Sequence, residues 1–186
     1  PPAGPAMTPL PAYDAGDPAA YVASRLALVG DRDPVPLLAA APDRIADAVT
    51  HLSDNAARRP EAPSAWSVLQ VVRHLADSEV VYGYRLRLLV AADPGRIPDI
   101  PGYDQEAWAE RLSYLRGTLD EAVEDYAAGR RMTIRFLRTL TETDWTREGH
   151  HSERGIESVR QIVTLLAAHD IGHERQIVRI RETLGA

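Results

Sequence analysis

Val159, Ile162, Leu166, His169, His173, Ile177, Ile180 and Leu184 follow one another at steps of three or four. That spacing puts all eight on one side of an α-helix, whereas a strand would scatter them over both faces. A helix built this way must bury its stripe against other helices, and two imidazoles go in with it. His169 and His173, four apart, can hold one metal ion from successive turns, and a third ligand is then needed. With no Cys in the chain there is neither a thiolate ligand nor a disulfide framework, so metal chemistry falls to His and carboxylates.

His74 is the candidate third ligand. Ser67 and Gln70 have the spacing of a capping box, in which a hydroxyl and an amide satisfy two orphan backbone donors reciprocally. The helix they open is expected to run to about Ala92, with Val68, Val72, Leu75, Tyr82, Leu86 and Leu89 on its stripe and His74 at the edge. Glu79 falls on the buried face, where an unpaired carboxylate is costly. It should therefore meet an Arg, a hydrogen-bond donor or the surroundings of a metal. Ser158 and Gln161 repeat the capping pattern at the start of the histidine helix.

The remaining segments also read as helical. Asp17-Pro18 opens a short helix ending at Gly30, and Leu37 to Leu52 forms another, with Pro42-Asp43 as a restart. From Trp108 the series Leu112, Leu115, Leu119, Val123, Tyr126, Ile134, Leu137 and Leu140 predicts one long helix, with Gly129 as the place where a kink is allowed. Thr141 to Glu157 is expected to be a loop, in which His150 and His151 face solvent. No strand pattern is evident. The chain therefore predicts an all-α fold, a four-helix bundle with a short additional N-terminal helix, as one domain over residues 17–186. Residues 1–16, rich in Pro and Ala, are expected to be a flexible tail, with Met7 a candidate native start.

Composition removes several function classes. All 21 basic residues are Arg, so Lys Schiff-base and phosphate-loop Lys chemistry are excluded. A net charge of −6 with no basic cluster argues against nucleic acid. No run is apolar enough to span a membrane and no signal peptide is recognisable, which makes cytoplasmic the default location.

For the three histidines two readings stand: a divalent metal, or ring-nitrogen hydrogen bonds to Glu79, Asp77 or backbone. Unsatisfied buried nitrogens would cost about 1–3 kcal/mol each. Asp77, one turn from His74, could orient that ring. His169-Asp170-x-x-His173 superficially matches the zinc-protease pattern His-Glu-x-x-His. No His follows it as a downstream ligand, however, and Asp is a methylene shorter than the usual base. Three protein nitrogens leave coordination positions open, as in a catalytic site, and His ligands suit Zn, Ni, Fe and Cu alike.

Trp66-Ser67-x-x-Gln70-x-x-x-His74-Leu75-x-Asp77-x-Glu79, with Ala168-His169-Asp170-x-x-His173-x-x-Gln176-Ile177 far downstream, resembles the DinB-like (DinB/YfiT) superfamily. The resemblance spans most of the chain from Asp17 to Leu184. It implies a four-helix bundle holding a divalent metal, Zn, Ni or Fe, through His74, His169 and His173. Gln70 stands where many relatives carry Glu. It further implies a thiol S-transferase that takes a low-molecular-weight thiol as co-substrate and a small-molecule substrate. Alternatives are a metal-dependent hydrolase, or a non-catalytic, metal-stabilised binding module serving a stress response. Polar groups that could face the open coordination position are His151, Asp104, Tyr103, Asp170 and Arg85, each with an ordinary surface role as its competing reading. Relatives suggest a homodimer, for which the outer side of the third helix, with Tyr114 and Met132, is the candidate face.

Overall fold

The computed structural model describes residues 17–185; the expected tail, residues 1–16, lies outside them. Helix α1 (Pro18–Val29) is capped by Asp17, whose carboxylate accepts from the Ala20 N–H at 2.9 Å, and Gly30 (φ 59°) ends it. Helix α2 (Pro34–Val49) begins on Asp33 with Pro34 in its first turn, and Pro42 lies inside it. The expected restart at Pro42 is therefore wrong. A proline there leaves the carbonyl of Leu38 without its helical donor, and Arg130 Nη1 supplies one at 3.0 Å. That outside donor satisfies the group the proline orphans.

A single turn, α3 (Asp54–Ala57), leads to α4 (Val68–Val90), which starts on the anticipated Ser67–Gln70 capping box. The predicted long third helix is corrected. It is two helices, α5 (Gln105–Arg111) and α6 (Leu119–Leu137). Between them Ser113 (φ 57°) and Gly117 (φ 74°) take left-handed backbone that no helix continues through. Thr118 and Glu121 then form a fresh capping box. Leu112 and Leu115, expected in the core, are 57% and 49% exposed on this connection. Gly129 does not kink α6; it lies within it, where a Cβ would come 2.7 Å from Glu79 Cβ.

The loop after α6 contains more order than expected. A turn, α7 (Glu142–Trp145), is followed by strands β2 (Glu148–His151) and β3 (Gly155–Ser158), joined antiparallel. β1 (Asp99–Ile100) pairs parallel to β2, with Ile100 opposite His151. These strands have two to four residues and few branched side chains, too short to leave a period-2 pattern. The sheet covers the end of α4: a Cβ at Gly149 would fall 2.6 Å from Ile100 Cδ1 and 2.8 Å from Leu89 Cδ1.

Helix α8 (Val159–Leu184) closes the fold. Ser158 Oγ accepts from the Gln161 N–H at 3.1 Å as the cap. Helices α2, α6, α4 and α8 form a ring in which each packs on the next, and α1 lies along α8. Sequence neighbours α2 and α4 are thus diagonal, as are α6 and α8, unlike an up-and-down bundle with short connections. The apolar core has two portions. One gathers Ile45, Leu69, Leu75, Tyr126 and Ile177; the other gathers Leu38, Leu86, Leu89, Ile162 and Leu166. Between them along α4, α6 and α8 runs a polar layer that includes Glu79, Arg130 and Asp170.

Candidate metal centre

Because α4 and α8 are packed neighbours, their histidines meet. One ring nitrogen from each of His74, His169 and His173 lies within 4.8 Å of the other two, so the three can close on one ion. His74 Nε2 and His169 Nε2 are 2.9 Å apart, and the ring centroids lie 4.4–5.0 Å from one another. Burial, together with the charges of His173 and His169, holds His74 well below its ordinary pKa. Burial and the His169 charge bring His173 down to about 3. Both are therefore neutral imidazoles at pH 7, the form that offers a lone pair to a cation.

The rings are held by different means. His173 Nδ1 lies 2.8 Å from Gln176 Oε1, an acceptor, which fixes the proton on Nδ1 and leaves Nε2 with its lone pair. Trp66 stands edge-on to His74 at 5.1 Å, tied by its Nε1–H to Glu106 at 2.8 Å. His74 Nδ1 and His169 Nδ1 are buried without a hydrogen-bond partner. Converging lone pairs and orphaned ring nitrogens in a buried layer match an all-nitrogen donor set for Zn, Ni or Fe.

Beneath the histidines the polar layer is densely bonded. Arg130 donates from Nε to Glu79 Oε1 at 2.9 Å and from Nη1 to Asp170 Oδ2 at 2.5 Å, and its Nη2 also reaches Glu79. Thr133 donates to Glu79 Oε2 at 2.8 Å and Tyr126 to Asp170 Oδ2 at 3.1 Å. Glu79 thus meets an Arg, one of the partners its position demanded. Burial pushes the Asp170 carboxyl up, but the Arg130 guanidinium outweighs it and holds Asp170 at about 2. Its other oxygen, Oδ1, is buried without a hydrogen bond, 3.8 Å from His169 Nδ1.

The other anticipated residues are placed as follows. Asp77 does not bond to His74; it accepts from Tyr114 Oη at 2.5 Å. Tyr114 is 4% exposed, so it cannot belong to an exposed dimer face, whereas Met132 is 45% exposed. Asp104 caps α5, accepting from the Glu106 and Ala107 N–H groups at 3.0 Å. Tyr103 Oη is 3.3 Å from Ser78 Oγ. His151, expected in solvent, is 1% exposed on β2. Its Nδ1 accepts from the Glu153 N–H at 3.1 Å while Nε2 has no partner. Sequence reasoning missed Arg130 and the contact of Tyr82 with His169, their ring centroids 6.1 Å apart. Arg130 sits four residues after Tyr126 and three before Thr133, a core spacing hidden by counting only apolar residues.

The chain is similar to known proteins described as metal-dependent. A protein of Oceanobacillus iheyensis, "Putative metal-dependent hydrolase OB0782", is 30% identical over 115 residues, 62% of this chain and 64% of that protein. "Putative metal-dependent hydrolase YfiT" of Bacillus subtilis is 28% identical over 81% of this chain and 84% of its own. A solved structure of the Bacillus subtilis protein, described as "a probable metal-dependent hydrolase with an unusual four-helix bundle topology", superposes with a TM-score of 0.75 at 25% identity, covering 82% of this chain and 86% of that one. Residues 37–177, which carry all three histidines of the centre, match the profile of the DinB superfamily, and the chain belongs to that family.

Proposed function

We propose that the chain is a metal-dependent thiol S-transferase, joining a low-molecular-weight thiol to a small electrophile at the His74–His169–His173 centre. The observation that carries this reading is the convergence of three ring nitrogens from α4 and α8 within 4.8 Å. A divalent cation held there supplies positive charge that lowers the pKa of a thiol or a water brought against it. The thiol proton passes to solvent, sulfur forms a bond to the electrophilic carbon, and the leaving group departs with the electrons of the bond that breaks.

The carboxylates favour a thiol over water as the nucleophile. Glu79 and Asp170 are committed to Arg130, Asp77 to Tyr114 and Asp104 to its helix cap. Asp170 keeps one oxygen unbonded, but Arg130 holds its carboxyl at about 2, too weak a base to serve water well, and a thiol, already the stronger acid, needs a base less. The relatives' names support a second reading, metal-dependent hydrolysis.

One experiment separates the readings. Protein purified without a metal-affinity column is analysed for Zn, Ni and Fe. It is then assayed with 1-chloro-2,4-dinitrobenzene plus cysteine or glutathione, and with p-nitrophenyl acetate alone. One metal per chain and thiol-dependent turnover lost in His169→Ala are expected. Ester turnover alone selects hydrolysis, no turnover with any substrate selects a binding module, and absence of stoichiometric metal removes the centre itself.

A further inference from the structure

Arg85 contrasts with the other deeply buried arginine. Arg130 has both neighbouring carboxylates, but Arg85, only 4% exposed, has one hydrogen bond, from Nη2 to the Pro101 carbonyl at 2.7 Å. Among the described residues no carboxylate comes within ion-pair distance of it. Arg154 does not share this state, because Glu157 takes it bidentately at 2.6 and 3.0 Å. A buried cation left with one neutral acceptor is costly, so the fold carries a positive charge here that has no directly paired carboxylate and is offset only at longer range by Glu157, itself held by Arg154. Consistently, burial lowers the Arg85 pKa.

The charge lies beside the metal centre. The Arg85 guanidinium sits 5.5 Å over the Tyr82 ring, and the far side of that contact chain is His169, 6.1 Å from Tyr82 between centroids. Pro101, which Arg85 binds, follows Ile100, the strand partner of His151. His151 adds a donor: its Nδ1 accepts from Glu153, so the neutral ring carries its proton on Nε2, buried and without a partner. The guanidinium fork, one tyrosine ring away from His169, and the buried imidazole N–H on the strand paired with Ile100 are the donors a carboxylate takes.

We propose that Arg85 and His151, with Tyr82 as the wall toward His169, form an anion subsite that receives the carboxylate of the small molecule processed at the metal centre. The inference rests on the proposed reading of that centre for what the subsite serves, but anion binding itself needs no metal. The substrate class it names is an electrophile or thiol bearing a carboxylate. Orientation follows: the carboxylate end is fixed by Arg85 and the reacting end is left against the histidines.

The test is calorimetric titration of succinate, and of dimethyl succinate as its uncharged counterpart, into metal-free protein and then metal-loaded protein. Succinate is expected to bind both forms and the diester neither. Arg85→Gln should weaken succinate at least tenfold, and Arg85→Lys, which keeps the charge without the fork, should fall between. Equal binding of succinate and its diester by wild type, or wild-type affinity in Arg85→Gln, overturns the subsite. Should Arg85→Gln not fold, the wild-type comparison and Arg85→Lys decide. Succinate binding that needs metal and ignores both Arg85 variants also overturns it while leaving the metal centre intact. Failure of the metal centre appears separately, as absent metal with the apo titration unchanged.

Discussion

At the scale of single residues, the polar layer concentrates the risk in the fold. Arg130 pairs with both Glu79 and Asp170 and satisfies the carbonyl that Pro42 orphans, so three obligations meet on one guanidinium. Arg130→Met is expected to cost about 3–5 kcal/mol, because it strands buried carboxylates and does not merely delete a pair. Glu79→Gln, whose carbonyl oxygen can still accept from Arg130 while its NH2 donates to Thr133 Oγ1, should cost less. Urea denaturation of both variants measures this, and a midpoint for Arg130→Met equal to wild type would contradict it. His151 makes a pH-dependent contribution. Burial, then the charges of Arg154, Arg85 and His150, bring it from 6.5 to about 3. Between those values the unfolded chain binds a proton that the folded chain refuses, so stability is full above pH 6.5 and drains away as pH falls toward 3. The slope is ~1.4 kcal/mol per pH unit for one such group. Metal-free His151→Asn should lose less stability than wild type between pH 7 and pH 4.5; equal losses would refute it. None of this is legible in the local sequence around His151, since its burial comes from β1 and β2, whose pairing is long-range.

At the scale of elements, α4 and α6 approach closely enough that Gly129 is a packing requirement. A methyl group there meets Glu79 Cβ at 2.7 Å, the backbone-proximal part of a side chain that Arg130 and Thr133 already hold. Gly129→Ala is expected to destabilise by about 1–3 kcal/mol despite its better helix propensity, as overpacking does. Thermal melts read the sign directly, and a higher melting temperature would show that α4 and α6 can part. The same elements define what could be read from the chain. Helices α4 and α8 were legible to within a residue or two, because capping boxes or caps fix their starts and unbroken apolar stripes fix their faces. The α5–α6 break was not. Leu112 and Leu115 continue the three-or-four spacing by chance, while the chain turns at Ser113 and Gly117. Capping chemistry at Thr118 and Glu121 was the signal that could have corrected it. The histidine triad was legible for a simpler reason: polar residues on two core stripes need a common explanation. Arg85 was legible only as one of five polar candidates, since nothing local distinguishes a buried arginine from a surface one.

At the scale of the whole molecule, the three histidines sit on two helices that the chain joins only through its whole middle section, from α4 to α8. A cation held by His74 on one side and His169 and His173 on the other ties those helices together, so its binding energy enters the folding equilibrium. Metal present at a hundred times its Kd would add about 2.7 kcal/mol. For a chain of 186 residues, about 2–4 °C per kcal/mol then puts the rise in melting temperature at about 5–11 °C. The rise should increase with metal concentration, vanish under a strong chelator, and be absent in His74→Ala, whose two remaining ligands belong to one helix. His74→Ala also opens a cavity beside Trp66, so its melting temperature is compared with and without metal, not with wild type. If chelated and metal-loaded wild type melted together, the ion would not bridge α4 and α8. A response in His74→Ala as large as in wild type would place the binding site elsewhere. The predicted pattern is a metal-dependent shift in wild type and none in the variant, which only a site shared between the two helices produces.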